Sequence, residues 1–392
     1  MIFSKAIAIV LPFFGNIAGL FGIFAGILGI GFLIGFHELG HFLFAKLFHV
    51  DTPTFSIGFG PRLLTKKIGE TEFSLSAIPL GGYVQMTGMG EAEEGKHSRS
   101  RFSFSAKPFY QKFLIMSGGI LFNLMFAYFA FILIFMTGMP QSRFTYPLYA
   151  EAVVEAVEND SPAAKAGLLP GDTIISVNGK PFESGATFYN DMATLINTPA
   201  TFKIKRSGQE QTITFTPSVK TMRGTSVAIS GIMLKNGALA PMSLMQAIGN
   251  GISLANKYIY GTIASFKSML TNFDAGNMAG PLMIISASGK ESRSGFSTFL
   301  IFLAIISINL AILNLIPLPI LDGGQILFYG IEALIGRSIP TRVREGIFIG
   351  TWLLFGMLFI YLCYKDIFRI LESCGVNLKE CLSKVTSLFS AK

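Results

Sequence analysis

Four apolar runs, each long enough to cross a bilayer as a helix, restrict what this chain can fold into more than any other feature. About 30 Å of hydrocarbon needs roughly 20 helical residues at 1.5 Å each. The runs lie within 16–47, at about 113–139, at about 297–315, which stops at Pro317 and Pro319, and at about 347–364. Of the 392 residues, 51% are hydrophobic and only 14% charged, against about a quarter charged in ordinary soluble domains. The expected class is a multi-pass α-helical membrane protein. In that setting the net charge of +8 sets topology and meets anionic membrane lipid. No nucleic-acid-binding module accompanies it, so nucleic acid is not an expected partner.

Charge also orients the chain. The connection between the first two runs, about 65 residues, carries nine basic residues: Lys46, Arg62, Lys66, Lys67, Lys96, Arg99, Arg101, Lys107 and Lys112. The connection 141–297 has thirteen over more than twice the length. The denser one is assigned to the cytoplasm, which leaves both termini and the middle of the chain outside. Lys5 and the apolar stretch after it resemble a signal peptide. However, the apolar pattern continues to about Leu47 and carries the most reactive-looking residues, so an uncleaved span is expected.

The expected organisation has seven parts. Residues 1–48 form the first span and 49–112 a cytoplasmic-side loop. In that loop the alternation of Phe55, Ile57 and Phe59, and of Phe73, Leu75 and Ala77, reads as two strands over 54–64 and 71–83, turning at Lys66-Lys67-Ile68-Gly69. Both strands are apolar enough to dip toward the membrane. Residues 113–140 form the second span. At 149–235 the composition becomes that of a soluble domain, with short strands at Val153-Val154, Ile174-Ile175, 202–204 and 213–215. Residues 236–296 hold an amphipathic interfacial helix over 243–273 with Lys257 and Lys267 on it. The third span and its exit occupy 297–324, and 325–392 contains a connection, the fourth span and a tail. Cysteine occurs only at Cys363, Cys374 and Cys381, with no Cys-x-x-Cys pair. Cys374 and Cys381 either pair, if the tail lies in an oxidising compartment, or are simply small residues near an anchor.

Chemistry concentrates at His37-Glu38-Leu39-Gly40-His41. Histidines four apart on a helix face the same way, so the two neutral imidazoles can grip one Zn²⁺. Glu38, beside the first, is placed to act as general base. Ionisable groups near the end of a span are costly unless they face a wet interior or bind something. The remaining histidines, His49 and His97, have no such pattern and read as surface residues. Catalytic zinc normally takes three protein ligands, and the third candidate is Asp322, in Asn314-Leu315-Ile316-Pro317-Leu318-Pro319-Ile320-Leu321-Asp322-Gly323-Gly324. The prolines end the third span in extended backbone, and the glycines allow close approach. The charge-derived topology puts this aspartate and the histidines at the same end of their spans. Asp322 as the cap of a following helix is the plainer alternative.

These two motifs, in this order, resemble the site-2 protease family of intramembrane zinc metalloproteases, and most closely its bacterial regulator-of-sigma-E protease group. F-S-I-G-F-G at 55–60, I-P-L-G-G-Y-V at 78–84 and G-P-L-M-I at 280–284 extend the likeness over nearly the whole chain, and 161–179 is similar to the core of a PDZ domain. The resemblance implies His37, His41 and Asp322 as zinc ligands and Glu38 as the catalytic acid/base. It implies that Asn314 and Asn123 contact the substrate backbone. It also implies that the membrane-associated β hairpin, through Phe73 and Leu75, pairs with an extended substrate.

The implied architecture is about four transmembrane helices with that hairpin and one extracytoplasmic PDZ-like α+β domain. The implied setting is the bacterial inner membrane. Substrates would be membrane-anchored proteins or peptides, such as anti-sigma factors or signal-peptide remnants. The chain departs from the group at Gly118-Gly119, where a Gly-Pro is usual, and in having room for only one PDZ module. Two other function classes remain: a metal transporter, which should show inverted repeats, and a non-catalytic scaffold, which has no use for Glu38.

Overall fold

In hydrocarbon the backbone must satisfy its own hydrogen bonds, which for one isolated segment means a helix. Each of the four apolar runs is helical in the computed structural model, which describes residues 17–89, 100–222, 225–272 and 278–373. The first part of the chain gives α1 (Ile17–Leu47), β1 (Thr54–Ile68), β2 (Thr71–Gln85) and α2 (Phe109–Thr137). Next come β3 (Ala150–Val157), α3 (Pro162–Lys165), β4 (Thr173–Val177), β5 (Lys180–Pro181), α4 (Gly185–Thr194), β6 (Ala200–Arg206), β7 (Gln209–Phe215), β8 (Ser218–Met222), β9 (Thr225–Ile229) and β10 (Ile232–Asn236). The chain then continues through α5 (Leu244–Asn272), α6 (Pro281–Arg293), α7 (Phe296–Asn314), α8 (Asp322–Ile335) and α9 (Thr341–Ser373). Two units result, one formed by the two ends of the chain and one by Phe135–Leu244. The expected cysteine pair, His97 and the segment around Lys5 lie outside the described residues.

In the first unit, α1, α2, α7 and α9 each contain a stretch long and apolar enough to cross a membrane. The outer side chains of α9, among them Leu353, Met357, Phe359 and Ile360, are more than half exposed. An unbroken apolar face of that kind calls for lipid as its solvent. Small residues bring the helices close: a Cβ on Gly40 of α1 would lie 2.2 Å from the Gly118 carbonyl oxygen of α2, and one on Gly22 would lie 2.6 Å from that of Gly289 in α6. Asp366, fully buried on α9, accepts from the backbone N–H groups of Gly280 and Met283, both at 3.0 Å, and so caps the start of α6. The expected interfacial helix is α5. Its polar residues find partners on two spans: Tyr128 of α2 donates to Asn256 Oδ1 at 2.6 Å, and Thr262 donates to Asn309 Oδ1 of α7 at 3.1 Å.

The hairpin is more folded than a two-strand reading allows. Residues 62–68 pair with 71–76 around the Gly69 turn, while 54–57 lie between 72–75 on one side and 82–85 on the other. Gly58 and Gly60 adopt positive φ of 91° and 85° where β1 bends, a conformation open to glycine at little cost. The two strands thus make four rungs, with 82–85 and 62–68 at the edges.

In the unit Phe135–Leu244, the sheet runs β10-β3-β4-β6-β7, with β5 on β4, and β8 and β9 form a separate hairpin. The four short strands expected there fall in β3, β4, β6 and β7. Val154, Leu168, Ile174, Phe188, Phe202, Ile204 and Leu234 form its core. At the free edge of β10, the Leu234 N–H donates to the hydroxyls of Tyr189 and Tyr146, and Tyr189 donates to the Ile232 carbonyl. The Asp172 carboxylate is buried against the Arg206 guanidinium, with both contacts at 2.7 Å. Burial alone would raise the Asp172 pKa, but the bonds from Arg206 and from the Leu169 N–H outweigh it and hold the group below the usual carboxylate range.

Arg206→Met strands that carboxylate and should destabilise this unit. The readout is faster amide exchange in β4 and β6 of the intact protein, and unchanged exchange would contradict it. Because the folded pKa is depressed, the wild-type advantage is complete above about pH 5 and fades as pH falls below that.

Candidate metal centre and active site

The 3.6-residue period puts the imidazoles of His37 and His41 on one face of α1, with ring centroids 4.8 Å apart. Across from them the chain leaves α7 through the proline-broken stretch and enters α8 at Asp322. That entry is tight. A Cβ on Gly323 would lie 2.3 Å from the Leu315 carbonyl oxygen, and one on Gly324 would lie 2.0 Å from that of Leu318. Glycine is therefore required for the loop to wrap round the start of α8. The side-chain amide of Gln325 donates to the Pro319 carbonyl at 2.6 Å and ties the loop down.

Three lone-pair atoms converge. His37 Nε2 lies 3.2 Å and His41 Nε2 3.4 Å from Asp322 Oδ2, and the two Nε2 atoms are 3.1 Å apart. Asp322 Oδ2 is buried without a hydrogen-bond partner, which is costly unless something positive binds there. Ligand atoms about 2.0–2.1 Å from a tetrahedral zinc sit about 3.3 Å from one another. The observed spacings fit that edge length, and the donor set of two imidazoles and one carboxylate suits zinc. The opposite ring nitrogens face inward to the protein: His41 Nδ1 lies 2.9 Å from the Ile115 carbonyl oxygen, and His37 Nδ1 lies 3.1 Å from the Asn123 amide.

Glu38 points into the same cavity, about 440 Å³, with Ile34, Phe59, Met86, Met116 and Leu310 among its apolar walls. The Val84 backbone N–H donates to the Glu38 carboxylate, and a Cβ on Gly82 would lie 2.9 Å from its Cγ. Asn314 Nδ2 reaches within 3.4 Å of His37 Nε2, at the rim of the three-donor cluster. Asn123 is 0% exposed.

The structure does not place Phe73 and Leu75 at the cavity. Phe73 packs its ring against Phe42 and Phe55, both at 5.5 Å, and Leu75 faces outward. Their rung, 72–75, has a partner on each side, so its backbone has no free edge for a further strand. The edge beside Glu38 is 82–85, and among the described residues no further strand pairs with it. Alternation alone cannot reveal this, because both halves of the hairpin alternate. The bend-forming glycines were the only available signal. Gly119 also belongs to the site: a Cβ there would lie 2.5 Å from both His37 Cε1 and His41 Nε2.

Residues 25–358 match the family model described as peptidase family M50. A zinc-metalloprotease relative from Clostridium perfringens is 33% identical over 343 residues, covering 86% of this chain and 96% of its own. The zinc metalloprotease RasP of Geobacillus kaustophilus is 29% identical, covering 86% of this chain and 95% of its own. Among solved structures, the PDZ domain of an SdrC-like protein from Listeria monocytogenes is 24% identical, covering 22% of this chain and 88% of its own, with a TM-score of 0.20.

Proposed function

The chain belongs to peptidase family M50, and from that premise we propose that it hydrolyses peptide bonds within or beside the transmembrane segments of other membrane proteins. It is a zinc metalloprotease with four membrane-length helices among the described residues. One observation carries the finer reading: the His37 and His41 donors on α1, a helix with the length and apolarity of a span, meet Asp322 at 3.1–3.4 Å just past the end of a second such helix, α7.

His37, His41 and Asp322 would hold the zinc. When bound, the ion supplies Lewis acidity, polarising a peptide carbonyl and making a nearby water acidic. Glu38 takes a proton as the water oxygen adds to the carbonyl carbon, then passes it to the amine as the C–N bond breaks. A spanning helix must unwind before its peptide bonds can be reached, and the freed N–H and C=O groups need partners in an apolar setting. The 82–85 edge supplies them by strand addition beside Glu38. Asn314, at the rim, is placed to hold the substrate carbonyl.

The unit Phe135–Leu244 acts as an extracytoplasmic, PDZ-like gate. Its β10 edge already carries the Tyr189 and Tyr146 hydroxyls, which favours exclusion of substrates with bulky outer domains over capture of a peptide end. The basic 49–112 connection lies in the cytoplasm of a bacterial cell whose inner membrane holds the protein.

The test uses the purified chain in detergent or liposomes with a single-span substrate, carrying or lacking a folded outer domain. The expected result is one zinc per chain and chelator-sensitive cleavage inside the span, faster for the trimmed substrate. Deleting 150–235 should abolish the preference for the trimmed form. Cleavage confined to soluble loops would overturn the intramembrane reading, and an unaltered preference would overturn the gate.

A further inference from the structure

We propose that Asn123 is a positioning residue for the metal centre, fixing the ring orientation and tautomer of His37, and that it does not touch substrate. The inference rests on the metal-site reading above and deepens it.

The two histidines differ in what holds their far nitrogens. His41 Nδ1 faces the Ile115 carbonyl oxygen at 2.9 Å. A carbonyl only accepts, so His41 carries its proton on Nδ1 and presents an Nε2 lone pair toward Asp322. His37 Nδ1 lies 3.1 Å from the side-chain amide of Asn123, with Nδ2 on the ring side and Oδ1 buried without a hydrogen-bond partner. The two ends of an amide occupy the same space, and only one of them suits a ring whose Nε2 must also bear a lone pair. Turning the amide over puts Oδ1 toward the ring, where Asn123 accepts the His37 Nδ1–H and the two imidazoles become equivalent donors. The opposite orientation would aim an N–H at Nδ1, require the proton on Nε2, and point that proton into the cluster with Asp322 Oδ2 at 3.2 Å.

Burial argues the same way. Asn123 borders the cavity but is 0% exposed, with its amide against the far nitrogen of the His37 ring. It is also anchored, because its own carbonyl accepts from the Ser307 hydroxyl of α7 at 2.8 Å. That bond links the helix bearing Asn123 to the helix leading to Asp322. A rigid acceptor behind a metal-binding imidazole typically alters affinity about 10–100-fold when removed.

The experiment compares Asn123→Ala and Asn123→Asp in the full-length protein. Zinc affinity is measured by chelator competition, and kcat and KM at saturating zinc on the single-span substrate. Asparagine-to-aspartate keeps the shape and an acceptor oxygen, so it serves as the rescue. The expected result is a roughly 10–100-fold loss of zinc affinity in Asn123→Ala, affinity within a few-fold of wild type in Asn123→Asp, and an unchanged KM in both. Wild-type zinc affinity in Asn123→Ala with a raised KM would overturn the proposal in favour of substrate contact. Equal loss in both variants would also overturn it, showing that shape and not the acceptor matters. A wild-type chain that bound no zinc would instead defeat the metal-site reading itself.

Discussion

Glu38→Gln should leave zinc bound at one per chain while lowering kcat/KM on a membrane-spanning substrate a hundredfold to ten-thousandfold, the range removed with a general base. The two effects separate because Glu38 is not among the three converging donors, which are the Nε2 atoms of His37 and His41 and Asp322 Oδ2. Glutamine keeps the length of the side chain and an oxygen that can still accept the Val84 N–H. It also keeps the contact with Gly82, where the fit is close. What it loses is the ability to take and return a proton. Metal analysis and cleavage rates on the same preparation decide the matter: a variant within tenfold of wild type would remove Glu38 from proton transfer, and one without zinc would make it a structural support.

The parts of the site readable from sequence are those whose spacing is itself a geometry. A spacing of four from His37 to His41 implies one helix face, and the structure has that face. The prolines and glycines around Asp322 imply an abrupt helix end with close backbone approach, and the Cβ distances at Gly323 and Gly324 give the reason. Meeting of the two motifs followed from charge density and span ends, which is a weaker warrant, yet the atoms come within 3.4 Å.

What depended on contacts across helices was not legible. Gly118 and Gly119 attracted notice only as a departure from a Gly-Pro pattern, and nothing local marks one as a helix-crossing residue and the other as the floor of a metal site. The burial of Asn123 is of the same kind. A polar residue in an apolar run signals function, but not whether it faces substrate or a neighbouring side chain. The hairpin misled for a different reason. Period-two alternation assigns faces of a strand, whereas the availability of an edge depends on which rungs pair, and the bend at Gly58 and Gly60 helps set that. Asp366 shows the same limit, since a carboxylate in the last span found its use only against the N-terminus of α6.

Gly119→Ala should weaken zinc binding without unfolding the protein, whereas Gly40→Ala should disturb folding first. The contrast comes from what each added methyl would meet. On Gly119 the nearest atoms are His37 Cε1 and His41 Nε2 at 2.5 Å and His37 Nδ1 at 2.7 Å, all in side chains. The imidazoles can rotate away from such an intrusion, but rotation by even a fraction of a rotamer breaks a donor set that must hold bonds of about 2.0–2.1 Å. On Gly40 the nearest atoms are the Gly118 carbonyl oxygen at 2.2 Å and its carbon at 2.5 Å. Backbone cannot rotate aside, so α1 and α2 must separate, at a cost of the order of 1–3 kcal/mol or more from overpacking alone. For Gly119→Ala the expected readings are near wild-type thermal stability of the zinc-free protein, a zinc affinity lowered by more than about tenfold in chelator competition, and no detectable cleavage. A Gly119→Ala chain that kept one tightly held zinc would show that the imidazoles accommodate the methyl without leaving their donor positions, and the close fit at Gly119 would lose its role in the metal centre.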